Sequence, residues 1–149
     1  RNKVKYIAPY VYMIHGIDSI KLLRAVNKEA IKFGRIIDVL LQFHIAEELS
    51  KFGFVQSDIE ILKQMNIQEE CKGVRVRGVM GMATNTLNKD HIRSEFIQLR
   101  TYFAMLKSSC FSEDSFDTLS MGMSGDYAIA MEEGSTMIRV GSLIFGPRD

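Results

Sequence analysis

Tryptophan is absent, and the 149 residues hold only two prolines and two cysteines. The two thiols, Cys71 and Cys110, are too few for a disulfide framework and fit a reducing, cytoplasmic compartment. Nothing in the chain reads as a Pro-rich linker, an internal repeat or a second domain. No apolar run approaches the roughly 18–20 residues that span a bilayer, so no membrane partner is expected. No sign of charge dominates either. Nineteen basic and eighteen acidic side chains leave a net charge of +1, without the basic excess of a nucleic-acid binder. The basic start, Arg1–Asn2–Lys3–Val4–Lys5, is not followed by the apolar core and small-residue cleavage site of a signal peptide.

What is present belongs to a globular chain. Hydrophobic residues make up 46% and charged residues 25%, enough apolar surface to exclude a disordered polymer. The length fits one domain. The chain has no initiator methionine and begins inside a helical pattern, Asn2–Ile7, that lacks a start signal before Pro9. A fragment of a longer protein is therefore expected.

Short apolar runs alternate with amphipathic helices. Val11–Ile14 reads as a strand. Asp18 or Ser19 then caps a helix to about Phe33, closed by Gly34. Ile36–Ile45 is apolar on both parities, as in a strand of a parallel sheet covered on both faces. Ser57–Glu60 reads as a capping box opening a helix to about Met65. Val74–Met82 is the next strand. In Asp90–Lys107, Ile92, Phe96, Leu99, Phe103 and Leu106 step by four and three along one helical face. Thr118–Met121, Asp126–Glu133 and Met137–Val140 complete the pattern as strand, helix and strand. Repeated strand–helix order implies a parallel α/β sheet with right-handed crossovers, either open and doubly wound or part of a (β/α)8 barrel. Eight of the eleven glycines follow residue 70, mostly at strand ends, where α/β proteins place ligands.

Two strand ends carry candidate chemistry. Ser120–Met121–Gly122–Met123–Ser124–Gly125–Asp126 leaves a strand and enters a helix through small residues that expose backbone N–H groups. It is either an ordinary turn with Asp126 as N-cap or an anion-binding loop to which Ser124 adds a hydroxyl. It lacks the lysine of a Walker loop. Arg139 lies within the apolar strand Met137–Val140 and needs a partner, because an unpaired buried charge is costly. That partner is a carboxylate such as Asp126 or Glu132, or an acceptor on a ligand. Gly141 and Ser142 follow where the strand opens, again suited to a phosphate. His15, His44 and His91 have no metal-ligand spacing, so no metal is expected. His91 reads as solvated; His15 and His44 stand near strand ends. Met80, Met82, Met121 and Met123 bunch at two strand ends, as core filler or as a pocket lining.

Taken together these pieces resemble the pyridoxal phosphate homeostasis protein family, whose fold is like the N-terminal barrel domain of alanine racemase. The matching strings, in family order, are Asn2–Lys3–Val4–Lys5, His15–Gly16–Ile17–Asp18, Gln42–Phe43–His44–Ile45 with Ser50–Lys51–Phe52–Gly53–Phe54, and Arg77–Gly78–Val79–Met80. Leu119–Ser120–Met121–Gly122–Met123–Ser124, Gly134–Ser135–Thr136, Arg139–Val140–Gly141–Ser142 and Ile144–Phe145–Gly146–Pro147–Arg148 follow. The resemblance implies a phosphate at Ser124, Gly141 and Ser142, with Met123 beside it. It also sets Arg139 against the pyridine nitrogen of pyridoxal 5′-phosphate. Three departures stand out: Ser142 where the family usually has Thr, His44 where it often has Asn, and Gly125 inserted before Asp126.

The resemblance further implies strands four to eight of a (β/α)8 barrel. The first three strand–helix units would be absent, and with them the Schiff-base lysine, which none of the ten lysines here matches. No catalytic residue is therefore assigned. The two open barrel edges make self-association expected. The function implied is cofactor buffering or delivery without robust catalysis. The alternative is a pyridoxal-phosphate-dependent amino-acid racemase, which needs a further domain carrying a tyrosine acid/base. The sequence is expected to lack that domain, since it stops after the last strand pattern, at Pro147–Arg148–Asp149.

Overall fold

The computed structural model describes residues 3–48 and 52–146. Asn2, Ser50, Lys51, Pro147 and Arg148 of the family strings lie outside the described residues. Five strands form one sheet: β1 (Met13–Ile17), β2 (Ile37–His44), β3 (Val74–Met82), β4 (Thr118–Met123) and β5 (Met137–Arg139). They lie in sequential order and every pairing is parallel, giving a curled half-barrel. β1 and β5 each have a strand neighbour on one side among the described residues.

Alternation along the strands decides which face is packed. Ile37, Val39, Leu41 and Phe43 of β2 join Val74, Val76 and Val79 of β3 and Leu119 and Met121 of β4 in the hydrophobic core. The helices α2 (Ile20–Lys32) and α5 (Lys89–Ser109) cover that face with Leu23, Val26 and Ala30, and with Ile92, Phe96, Leu99 and Leu106. Leu99 is fully buried, and truncating such a side chain to alanine costs about 2–5 kcal/mol. The opposite parity of β2 carries Asp38, Leu40, Gln42 and His44, a far more polar set. β2 has helices on the first of these faces, and Asp38 and Leu40 on the second are buried too. Its near-continuous apolar reading comes from Leu40 alone on the other.

Several ends differ from the sequence reading. β1 starts two residues late, because the Val11 N–H closes a turn on Ile7 and the Val11 carbonyl accepts from Arg35. It runs through to Ile17, which is fully buried and pairs with Leu41. Ser19 caps α2 by accepting from Leu22 N–H. Ser57 is already helical (φ −63°, ψ −25°) and caps nothing in α3 (Asp58–Gln64). Asp58 Oδ2 instead accepts from Val55 N–H at 2.8 Å, so no capping box forms. α1 (Val4–Ile7), α4 (Ile67–Glu70) and α7 (Ser142–Phe145) are single turns. Gly78 has φ +156°, and a Cβ there would lie 1.7 Å from the Thr118 carbonyl oxygen; only glycine lets β3 approach β4.

Candidate functional site

All five strands run the same way, so the turns after β4 and β5 meet at one end of the sheet. Met123, Ser124, Gly125, Arg139, Gly141, Ser142, Phe145 and Gly146 line a cavity of about 650 Å³ there. All five residues singled out from sequence (Met123, Ser124, Arg139, Gly141 and Ser142) are brought together around it. Phe145 and Gly146 join them, contributed by the short helix α7 that periodicity does not reveal.

The turn after β4 is built by one glycine and one aspartate. Gly122 takes φ +97°, and a Cβ there would come within 2.6 Å of Ala130 Cβ, so α6 (Tyr127–Glu132) can sit close on the strand end. Asp126 makes no cap bond into α6. Its Oδ1 accepts from Met123 N–H at 2.6 Å and closes the turn that presents Ser124. Ser124 Oγ then accepts from the backbone N–H of Gly141 at 3.2 Å and of Leu143 at 3.4 Å. Two amides from the β5–α7 turn thus converge on that hydroxyl oxygen. At Gly125 and Gly141 the position of a Cβ is open space, so nothing crowds that point.

Arg139 has no carboxylate within salt-bridge distance among the described residues. Asp126 closes its own turn, and Glu132 pairs with Arg93. Instead Arg139 Nη1 donates to the Ser120 carbonyl (3.1 Å) and Ser120 Oγ (2.8 Å), and Nη2 donates to the Gly81 carbonyl (3.0 Å). The Nε–H meets no acceptor among the described residues. Burial lowers the guanidinium below its ordinary value, with Asp126 pulling the other way, but an arginine stays protonated regardless. A cation held by neutral oxygens can serve a neutral or anionic acceptor in the cavity. Ser120, fully buried, is the supporting residue that sequence reasoning passes over. Its signal is a hydroxyl at a buried position of an apolar strand.

The histidines divide. His15 is half-buried in β1; burial first, then the Arg139 charge, lower its pKa. His44 ends β2, its N–H bound to the Phe54 carbonyl, and its Nε2 is buried without a hydrogen-bond partner among the described residues. His91 is not simply solvated: Nε2 lies 3.0 Å from Glu95 Oε1 and 3.6 Å from Glu47 Oε1. Among the described residues no group of three or more His, Cys, Asp or Glu side chains could hold a metal. Nor is any helix long and apolar enough to cross a membrane.

The chain is 34% identical over 148 residues to the pyridoxal phosphate homeostasis protein of Vibrio alginolyticus and 33% identical over 147 residues to that of Aquifex aeolicus. Each alignment covers 99% of this chain but 61% and 63% of those relatives, so the chain spans about three fifths of their length. PipY of Synechococcus elongatus, solved with PLP bound, superposes with a TM-score of 0.80 at 31% identity, over 97% of this chain and 66% of that one. D-threonine aldolase from Filomicrobium marinum shares the fold, with a TM-score of 0.69 at 16% identity over 97% of this chain and 40% of that one. The family description "Alanine racemase, N-terminal domain" matches residues 2–149, nearly the whole sequence, and with the parallel half-barrel and its strand-end cavity this establishes that the chain belongs to that family.

Proposed function

We propose that this chain binds pyridoxal 5′-phosphate and serves to hold or deliver that cofactor. The observation that carries the reading is the convergence of the Gly141 and Leu143 amides on Ser124 Oγ, in a cavity also lined by an arginine without a carboxylate. The residues present fit the group. The Ser124 hydroxyl proton, and the two amides once a phosphate oxygen replaces Ser124 Oγ as their acceptor, are donors for phosphate oxygens, and Ser142 stands at the same opening. Open space at Gly125 and Gly141 leaves room for those oxygens. Arg139 has an N–H to spare for the ring nitrogen. The names of the relatives and the PLP-bound state of PipY support the same ligand.

When bound, pyridoxal phosphate supplies an electron sink for carbanions, effective when its ring nitrogen is protonated. A guanidinium donates a hydrogen bond to that nitrogen without surrendering a proton. Arg139 therefore favours retention of the cofactor over broad amino-acid chemistry. In this reading the chain is one unit, a partial barrel supplying the phosphate and ring-nitrogen side of the site, and the lysine side comes from outside its 149 residues. Self-association through the edges of β1 and β5 belongs to the same proposal, and sedimentation at rising concentration tests it.

Calorimetric titration with three ligands tests the cofactor reading. Pyridoxal phosphate and pyridoxine phosphate, which lacks the aldehyde, should bind with similar affinity, because these residues address the phosphate and the ring. Pyridoxal without its phosphate should bind at least about tenfold more weakly. Equal binding of pyridoxal, or no binding of either phosphate ester, overturns the reading.

A further inference from the structure

At the same end of the sheet a second polar cluster joins two connections that the cavity does not use. Glu95 of α5 is buried, and both its oxygens are taken by one residue, Thr84, which follows β3. Thr84 N–H donates to Oε2 at 2.7 Å and Thr84 Oγ1 donates to Oε1 at 2.5 Å. The same hydroxyl oxygen accepts from the backbone N–H of Glu47, in the connection that follows β2, at 2.9 Å. One residue along, Asn85 N–H donates to Glu48 Oε1 at 3.0 Å. His91, in the first turn of α5, puts Nε2 3.0 Å from Glu95 Oε1 and 3.6 Å from Glu47 Oε1, between the helix and the connection.

A buried carboxylate whose two oxygens are spent on a backbone amide and a hydroxyl fixes that hydroxyl's direction. The hydroxyl proton points at Glu95, so its lone pair is left for Glu47 N–H. The chain of bonds therefore runs from a helix, through a loop, to the backbone of another loop. Protonated, the His91 imidazolium adds an attraction to both carboxylates at once; neutral, it offers at most one donor. The charged and titratable neighbours that bear on it are Glu47 and Glu48 from the β2–α3 connection, Glu95 of α5, and Asp90, next to it in sequence. The positive end of α5 opposes its charge.

We propose that Thr84 and Glu95 form a positioning clip that sets the backbone at Glu47, in the connection that follows β2 at the cavity end of the sheet, and that His91 tightens it when protonated. Only the consequence for a bound ligand rests on the cofactor reading given above; the clip itself does not.

The test is residue-resolved amide exchange on the chain with Thr84→Val, Thr84→Ser and His91→Gln variants. Thr84→Val keeps the side-chain shape and removes the hydroxyl. Exchange at the Glu47 amide should rise about tenfold or more, while amides of β3 and β4 keep their protection. Thr84→Ser should restore wild-type exchange. In wild type, Glu47 protection corrected for intrinsic rates should increase on going from about pH 8 to about pH 6, and His91→Gln should flatten that profile. Glu47 exchange within about twofold of wild type in Thr84→Val overturns the clip. So does loss of protection spread equally through β3 and α5, or failure of Thr84→Ser to rescue. An unchanged pH profile in His91→Gln overturns the role of His91. Release of pyridoxal phosphate, followed on the same variants, should quicken in Thr84→Val. If wild type itself binds none, the cofactor reading fails while the exchange data still decide the clip.

Discussion

The two ends of the sheet handle arginine in opposite ways. At the start of the strands, Arg75 and Arg77 of β3 both reach Asp38 of β2, with Arg75 Nε 2.7 Å and Arg77 Nη1 3.0 Å from its oxygens. Arg77 also holds Asp117, just before β4, and the Ser115 carbonyl. At the far end, Arg139 is more buried and among the described residues has only Ser120 and Gly81 oxygens. The protonation preferences diverge accordingly. Hydrogen bonds donated to the aspartates, by Arg75 to Asp38 and by Arg77 first to Asp117, raise those guanidiniums, whereas burial lowers Arg139. An arginine that closes its own charge balance is part of the scaffold. An arginine left with neutral acceptors beside an open cavity keeps its charge uncompensated there, which is the ground for the ligand role proposed for Arg139. In a (β/α)8 family the two ends are expected to divide in this way, stability at the strand starts and binding at the strand ends.

The contrast can be broken most severely at the scaffold end. Asp38→Ala leaves Arg75 and Arg77 without their shared, buried carboxylate and should cost about 2–4 kcal/mol. Both arginines keep some solvent, which holds the effect below that of a fully buried pair. Thermal denaturation should register a drop of roughly 5–12 °C, and a drop of a degree or less would show that the network is ornamental.

The reverse pattern is expected of Arg139→Gln. The amide keeps a donor for the Ser120 or Gly81 oxygens, so the melting temperature should hold within a few degrees. Affinity for pyridoxal phosphate should fall about ten- to a hundredfold, as for loss of a charge-assisted hydrogen bond. A collapse of stability with affinity intact would place Arg139 with the scaffold arginines after all. Ser124→Ala removes one hydroxyl from the convergence point and leaves the two amides. A loss of about three- to tenfold in affinity for phosphate esters, with pyridoxal unaffected, is the expected calorimetric result.

The smallest effect concerns acid. Burial, then the charge of Arg139, lower the pKa of His15, so the unfolded chain takes a proton there before the folded chain does. The stability contribution is full above the ordinary histidine value of about 6.5 and is lost as pH falls below it toward the folded value. His15→Gln should remove that part of the acid sensitivity, a difference of about 1–3 °C between melts at roughly pH 7.5 and 5.5. Arg139→Gln should shrink it too, linking the acid response to the binding end.

The parts legible in the sequence are those written locally. β3 reads to its observed bounds, Val74–Met82, because apolar residues alternate there between glycine and the Ala83–Thr84 exit. The face of α5 reads from its four-three steps, and the cavity residues read because each lies in a short turn of small residues. What escapes is whatever depends on partners distant in the chain. Arg139 meets Gly81, 58 positions away, and Thr84 meets Glu47, 37 positions away; no periodicity marks either pair. Helices α4 and α7, four residues each, are too short to show a period. The capping-box pattern at Ser57 fails because Asp58 offers the turn a better acceptor.

The sequential strand order has a consequence for synthesis. Each strand pairs with the one made just before it, across a connection of one or two helices, so no strand waits for a distant partner. A chain emerging from the ribosome can add strand and helix to an existing edge, unit by unit, with little loop to close at each step. The growing edge then travels along the nascent chain, its newest strand standing open to a wrong neighbour until the next one pairs.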